Sequence, residues 1–157
     1  MAFETSTALR IAAGSGVGYR AALNADPATH TAKLTYYSGT VPATADASIG
    51  SATALCLFKN SGAGLSLGAA ADVGGGVIVM SINGGESWTG TTIGAGGMPT
   101  FWRLTEAADV PTNAAGIYSR LQGTAGIGGG FDLTVSGALE YGATNTCNAF
   151  DWTIATY

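Results

Sequence analysis

Ser66 stands in Gly64-Leu65-Ser66-Leu67-Gly68, the one string in this 157-residue chain that spells a catalytic nucleophile. A Gly-x-Ser-x-Gly elbow puts its serine on a strained strand-to-helix turn, and the acid and the histidine of the triad follow it in the chain. Here the only histidine, His30, precedes the serine, and Ala69-Ala70-Ala71-Asp72-Val73-Gly74 is too short to be the supporting helix. Ser66 therefore reads as part of a glycine-rich loop. His30, in Pro27-Ala28-Thr29-His30-Thr31, has no neighbouring acid to orient it and reads as a surface residue.

Other chemical strings are equally incomplete. In Gly14-Ser15-Gly16-Val17-Gly18 the third glycine arrives one residue early for a dinucleotide turn, and neither a βαβ pattern nor a ribose-binding acid follows. Gly128-Gly129-Gly130-Phe131-Asp132-Leu133 overlaps a single imperfect copy of a calcium nonapeptide, whereas such sites need stacked copies. Asp132 reads instead as the polar side of a strand. Asn83, Glu86, Asp46 and Asp72 carry oxygens suited to a hard cation but lack EF-hand spacing. The pairs Glu106 with Asp109 and Glu140 with Asp132 would resemble a glycosidase dyad only if the fold brought them together. These readings predict no enzyme, no metal and no cofactor.

Composition points the same way. Average soluble domains are roughly a quarter charged and about 7% glycine; this chain is 10% charged and holds 25 glycines. A surface so bare of charge suits a protein covered by partners. The six basic residues are scattered and the net charge is −4, so no stripe forms for a phosphate backbone and no nucleic-acid binding is expected. Met1-Ala-Phe-Glu4 lacks a basic n-region and an apolar h-region, so synthesis in the cytoplasm without a secretory leader is expected. The apolar run 77–82 falls far short of the about 20 residues that cross a bilayer, so no membrane span is expected. Cys56 and Cys147, 91 positions apart, form no metal knuckle; they read as buried free thiols, with a disulfide geometrically open.

The elements that must position these residues are strands. β-branched and aromatic runs alternate with Gly, Ser and Asn clusters at 33–38, 53–58, 77–82, 88–93, 100–105, 117–122, 131–136 and 144–155. Phe131, Leu133 and Val135 alternate with polar residues, as do Phe150, Trp152 and Ile154, which predicts half-buried strands. Leu55-Cys56-Leu57-Phe58 and Val77-Ile78-Val79-Met80 do not alternate, so both their faces need cover from a loop, a helix or another subunit. Residues 62–76 and 123–130 read as glycine-rich loops. Residues 1–32 form an N-terminal arm or short helix interrupted by glycines, ahead of a β-sandwich domain over 33–157. Phe101, Trp102 and Trp152 read as core, whereas Trp88, in Gly84-Gly85-Glu86-Ser87-Trp88-Thr89-Gly90, reads as an exposed anchor for a partner.

Leu34-Thr35-Tyr36-Tyr37-Ser38-Gly39-Thr40-Val41-Pro42, Met98-Pro99-Thr100-Phe101-Trp102-Arg103-Leu104, Leu121-Gln122-Gly123-Thr124-Ala125-Gly126 leading to Phe131-Asp132-Leu133, and Phe150-Asp151-Trp152-Thr153-Ile154 occur in that order. Together they resemble small virion proteins of tailed bacteriophages, of the capsid cement or decoration type. The resemblance covers about 120 residues in the spacing of a multi-strand β domain. It implies a jelly-roll-like sandwich, assembly as a homodimer or homotrimer, the major capsid protein as partner and the capsid surface of the virion as location. It also makes Arg103 and Arg120 the charged contacts, since guanidinium pairs bidentately with a carboxylate; the plain alternative for both is a solvated strand face. Two other roles remain open from the residues. One is a tail, collar or baseplate component, and the other is a carbohydrate-binding module stacking sugars on Trp88 and the tyrosines.

Overall fold

The computed structural model describes residues 3–23, 32–75, 77–114 and 116–155; His30 lies outside them. Among the described residues, eleven strands and two helices follow in the order β1 (Glu4–Thr5), α1 (Thr7–Gly14), α2 (Tyr19–Leu23), β2 (Lys33–Ser38), β3 (Thr53–Asn60), β4 (Ala71–Gly74), β5 (Val77–Ser81), β6 (Trp88–Thr91), β7 (Phe101–Thr105), β8 (Arg120–Gly126), β9 (Leu133–Thr134), β10 (Thr144–Cys147) and β11 (Asp151–Ala155). The larger sheet runs β1-β8-β7-β2-β3-β6-β10, with β9 added in parallel to β8; every other pairing is antiparallel. The smaller sheet is β11-β5-β4, also antiparallel. The fold is thus the expected all-β sandwich. Its strands divide unequally, eight in the larger sheet and three in the smaller.

The core lies between the sheets. Leu34, Tyr36, Cys56, Phe58, Trp102, Leu104 and Leu121 project from the larger sheet, and Met80 and Trp152 meet them from the smaller one. Phe150 joins the layers, its ring 5.1 Å from Trp102 and 5.6 Å from Trp88. The alternation of Phe150 and Trp152 with exposed Asp151 and Thr153 holds as the sequence predicts. The run 144–155, however, is two strands in different sheets, because the chain crosses between layers at Asn148 and Ala149. The segment 131–136 keeps only two paired residues, since Asp132 turns back to accept from Thr124 N and Thr124 Oγ1, both at 2.8 Å.

The N-terminal segment belongs to the same core. Ser6 caps α1 by accepting from Leu9 N at 3.2 Å, and its hydroxyl donates to Tyr118 O at 2.8 Å. Leu9 and Leu23 are fully buried against the sheet, each worth roughly 1.5–3 kcal/mol of transfer free energy. Gly14 ends α1 as expected, and Gly16 and Gly18, at φ 84° and 76°, turn the chain into α2. Among the described residues ahead of β2, Leu9, Ala22 and Leu23 thus lie in the same core as the strands that follow.

Strand β8 begins later than expected and continues through glycines that read as loop. The reason is Trp102, cross-strand from Gly123: a Cβ on residue 123 would lie 2.6–2.8 Å from the indole. That indole is fully buried and wedged by Phe3 and Phe150 at 5.6 and 5.1 Å, so it cannot move aside. Gly126 has the same problem with the Phe131 ring, at 2.5 Å, but Phe131 is 43% exposed and free to swing outward. Gly123→Ala is accordingly expected to cost about 1–3 kcal/mol as overpacking, and Gly126→Ala less than about 1 kcal/mol. Urea midpoints of the two variants check this; equal losses would show that Trp102 yields as easily as Phe131.

Candidate functional site

Residues whose type suggested chemistry are occupied with their own chain. Ser66 lies between the bridges Ala32–Leu65 and Leu67–Ile82, on extended backbone and not at a strand-to-helix turn. Its hydroxyl donates to Glu86 and accepts from Asn83 Nδ2 at 3.1 Å. Asp46 accepts from Thr7 N at 2.9 Å at the start of α1, and Asp72 accepts from Gly74 N at 2.8 Å. Glu106 and Asp109 share one turn, but Asp109 is buried and ion-paired to Arg120 at 2.6 Å. Burial raises the Glu106 carboxyl above its ordinary range. Among the described residues no three His, Cys, Asp or Glu side chains gather as metal ligands, and no helix is long and apolar enough to cross a membrane.

The three residues expected at an interface are inside the molecule. Trp88 is fully buried, packs on Phe150 and donates its indole N–H to Glu86 Oε2 at 2.7 Å. Its glycine neighbours do not expose it: Gly90 is where β6 passes so close to β3 that a Cβ would lie 2.6 Å from Cys56 Sγ and from Leu57 O. With Trp88, Tyr36 and Tyr37 all buried, the proposed sugar platform loses its main rings. Arg103 and Arg120 lie on the sheet face opposite the hydrophobic core, 0% and 1% exposed, neither as partner contacts nor as a solvated face.

Both guanidiniums hold loops down onto that face. Arg103 donates through Nε to Gln122 Oε1 at 2.8 Å and through Nη2 to Ala47 O at 2.7 Å. Arg120 donates to Asp46 O at 3.2 Å, Val110 O at 3.0 Å and Asn113 O at 2.8 Å, besides its two contacts with Asp109. Desolvation, then the Arg120 charge, pulls Arg103 down to about 10. Arg103 Nη1 and Asp109 Oδ2 are buried and make no hydrogen bond among the described residues, so the cluster fixes loop geometry at a real desolvation cost. In the non-alternating run of β3, Leu55, Cys56 and Phe58 are all buried in the hydrophobic core.

With Arg103, Arg120 and Asp109 inside, three of the sixteen charges leave the surface. What remains outside is most distinctive at one end of the larger sheet. There β2, β6 and β8 finish and β3, β7 and β10 begin, and the connecting loops are tied together by Ala125 N to Thr100 O, Gly97 N to Leu139 O and Gly142 N to Thr92 O, at 2.9, 2.9 and 3.1 Å. These loops present Ile93, Met98, Ile127, Phe131 and Tyr141, from 38% to 76% exposed. Residues 92–100 and 126–131 carry no charge at all. This end, with its exposed apolar side chains, is the candidate functional site. Sequence reasoning missed it, although a signal existed: each of the five apolar residues adjoins a glycine.

Cys56 and Cys147 are buried and free, as the sequence suggests. Burial pushes Cys56 up to about 11 and raises Cys147 as well, and Cys147 Sγ donates to Ala149 O at 3.4 Å. Both thiols are expected to resist alkylation by iodoacetamide in the native protein at pH 8 and to react fully in denaturant, read by intact mass. Rapid native labelling of either one would contradict its burial.

Searches for similar proteins leave the assignment to the geometry: no protein-family profile matches the chain, and no curated protein or solved structure matches it.

Proposed function

We propose that this chain is a non-enzymatic structural protein of a tailed-bacteriophage virion, a cement or decoration protein. In this reading it stabilises the head by binding between major capsid protein subunits, as a homodimer or homotrimer on the capsid surface. The observation that carries the reading is the loop end with five exposed apolar side chains, where segments 92–100 and 126–131 carry no charge, on a protein that holds two of its six basic residues internally. Contiguous apolar surface rimmed by polar residues marks association sites, and an identical patch on every copy suits the repeated, symmetric junctions of a shell. The sequence resemblance to such proteins points the same way.

The first experiment is the copy number of this chain per purified virion, by quantitative mass spectrometry scaled to the major capsid protein. A ratio of simple stoichiometry with the capsid protein supports cement. A number set by the tail's rotational symmetry moves the protein to tail, collar or baseplate, and absence from the particle removes the virion reading. A second test uses Ile93→Ser with Tyr141→Ser. Both side chains are exposed, 47% and 76%, so the variant should fold normally yet bind particles more weakly by about 2 kcal/mol or more if they are central anchors.

A further inference from the structure

Asn83 is the only asparagine in the chain followed by glycine, and the fold places that pair in an exposed turn. Glu86 N donates to Asn83 O at 3.1 Å, and Gly85 takes φ 86° at the third position, as a type II turn requires. Gly84 and Gly85 are exposed while Asn83 is half-buried. The Asn83 side chain is anchored from within, its Nδ2 donating to Ser66 Oγ. The neighbouring Gly84 N–H donates to no acceptor among the described residues. Without a Cβ on residue 84, little obstructs the approach of that nitrogen to Asn83 Cγ.

We propose that Asn83 is a site of spontaneous covalent modification, converting to aspartate and isoaspartate through a cyclic imide with Gly84. The Gly84 nitrogen loses its proton to solvent and attacks Asn83 Cγ. The N–Cγ bond forms, the Cγ–Nδ2 bond breaks, and ammonia leaves. Water then opens the ring. Cleavage of N–Cγ leaves aspartate in a normal backbone, and cleavage between the nitrogen and the main-chain carbonyl carbon of residue 83 leaves isoaspartate. One water is consumed and one ammonia released, with no change of oxidation state.

The product alters a cluster that positions Trp88. Ser66 Oγ loses the Nδ2 donor and gains a carboxylate beside the one it already serves, Glu86, whose Oε2 also accepts from Ser66 N and the Trp88 indole. Like charges so placed repel, and isoaspartate lengthens the backbone next to the Leu67–Ile82 bridge.

The test is incubation of the full-length native protein in mildly alkaline buffer, followed by peptide mass spectrometry and enzymatic isoaspartyl labelling. Residue 83 should convert at least about tenfold faster than Asn60, Asn113, Asn145 and Asn148, a barrier difference of about 1.4 kcal/mol, since these precede Ser, Ala, Thr and Ala. Gly84→Ala should slow conversion by about tenfold. That variant should fold, because a Cβ at 84 meets no described atom within 4 Å and the residue is not left-handed; unchanged tryptophan emission verifies it. Conversion at 83 no faster than at the other asparagines would overturn the proposal. So would an unchanged rate in Gly84→Ala, or conversion confined to urea-unfolded protein.

Discussion

Arg120→Ala is expected to lower the unfolding free energy by about 3–5 kcal/mol, the loss seen when one partner of a buried ion pair is removed. The substitution leaves the Asp109 carboxylate, which Arg120 holds through Nε at 2.8 Å and Nη2 at 2.6 Å, buried without a cation bonded to it. It also strips donors from the carbonyls of Asp46, Val110 and Asn113. At roughly 2–4 °C per kcal/mol for a chain of this size, the melting temperature should fall by about 6–20 °C. Arg120→Lys should recover only part, because an ammonium supplies three donors from a single atom where the guanidinium supplies five in a fork. Asp109→Ala combined with Arg120→Ala should cost less than the sum of the single changes, since the pair is coupled. Urea denaturation of the parent, the two Arg120 variants, Asp109→Ala and the double variant reads all of this. A loss below about 1 kcal/mol for Arg120→Ala is the value for an exposed pair and would contradict the burial.

Trp88→Ala should cost a similar amount, about 3–5 kcal/mol, because it removes a fully buried indole from between the layers. Its ring centroid lies 5.6 Å from that of Phe150, which also contacts Trp102, so the cavity would open at the junction of the two sheets. Trp88→Phe keeps much of the volume but removes the indole donor to Glu86, and should cost about 1–3 kcal/mol. The comparison separates a core residue from a surface anchor. An anchor truncated to alanine would leave the isolated chain as stable as before and change only partner binding. Unchanged urea midpoints for both variants would return Trp88 to the surface.

Much of the β-sandwich was legible in the chain. The runs at 33–38, 53–58, 77–82 and 100–105 became β2, β3, β5 and β7 with small shifts at their ends, since β-branched and aromatic content and spacing by two are local properties. The glycines that interrupt the first helix were legible for the same reason, and so was the alternation of Phe150 and Trp152. Misjudged segments depended on distant chain. Ala71–Gly74 pairs with β5 despite its glycine-rich setting, and Gly123 remains in strand because Trp102 lies over it.

The fate of the charged and aromatic candidates was decided only by tertiary structure. Arg103 stands between Trp102 and Leu104 and Arg120 between Ser119 and Leu121, and nothing local distinguishes an outward guanidinium from a buried one. What buries them is acceptors elsewhere, at Ala47 for Arg103, and at Asp46, Asp109 and Asn113 for Arg120. Trp88 is inward because Phe150 and Glu86 meet it from two directions, although its glycine-flanked segment resembles the loops that expose Ile127 and Phe131. Backbone preference is set by each residue and its immediate neighbours. Burial of a polar group depends on partners that can replace water, and those partners come together only when the two sheets and their loops close.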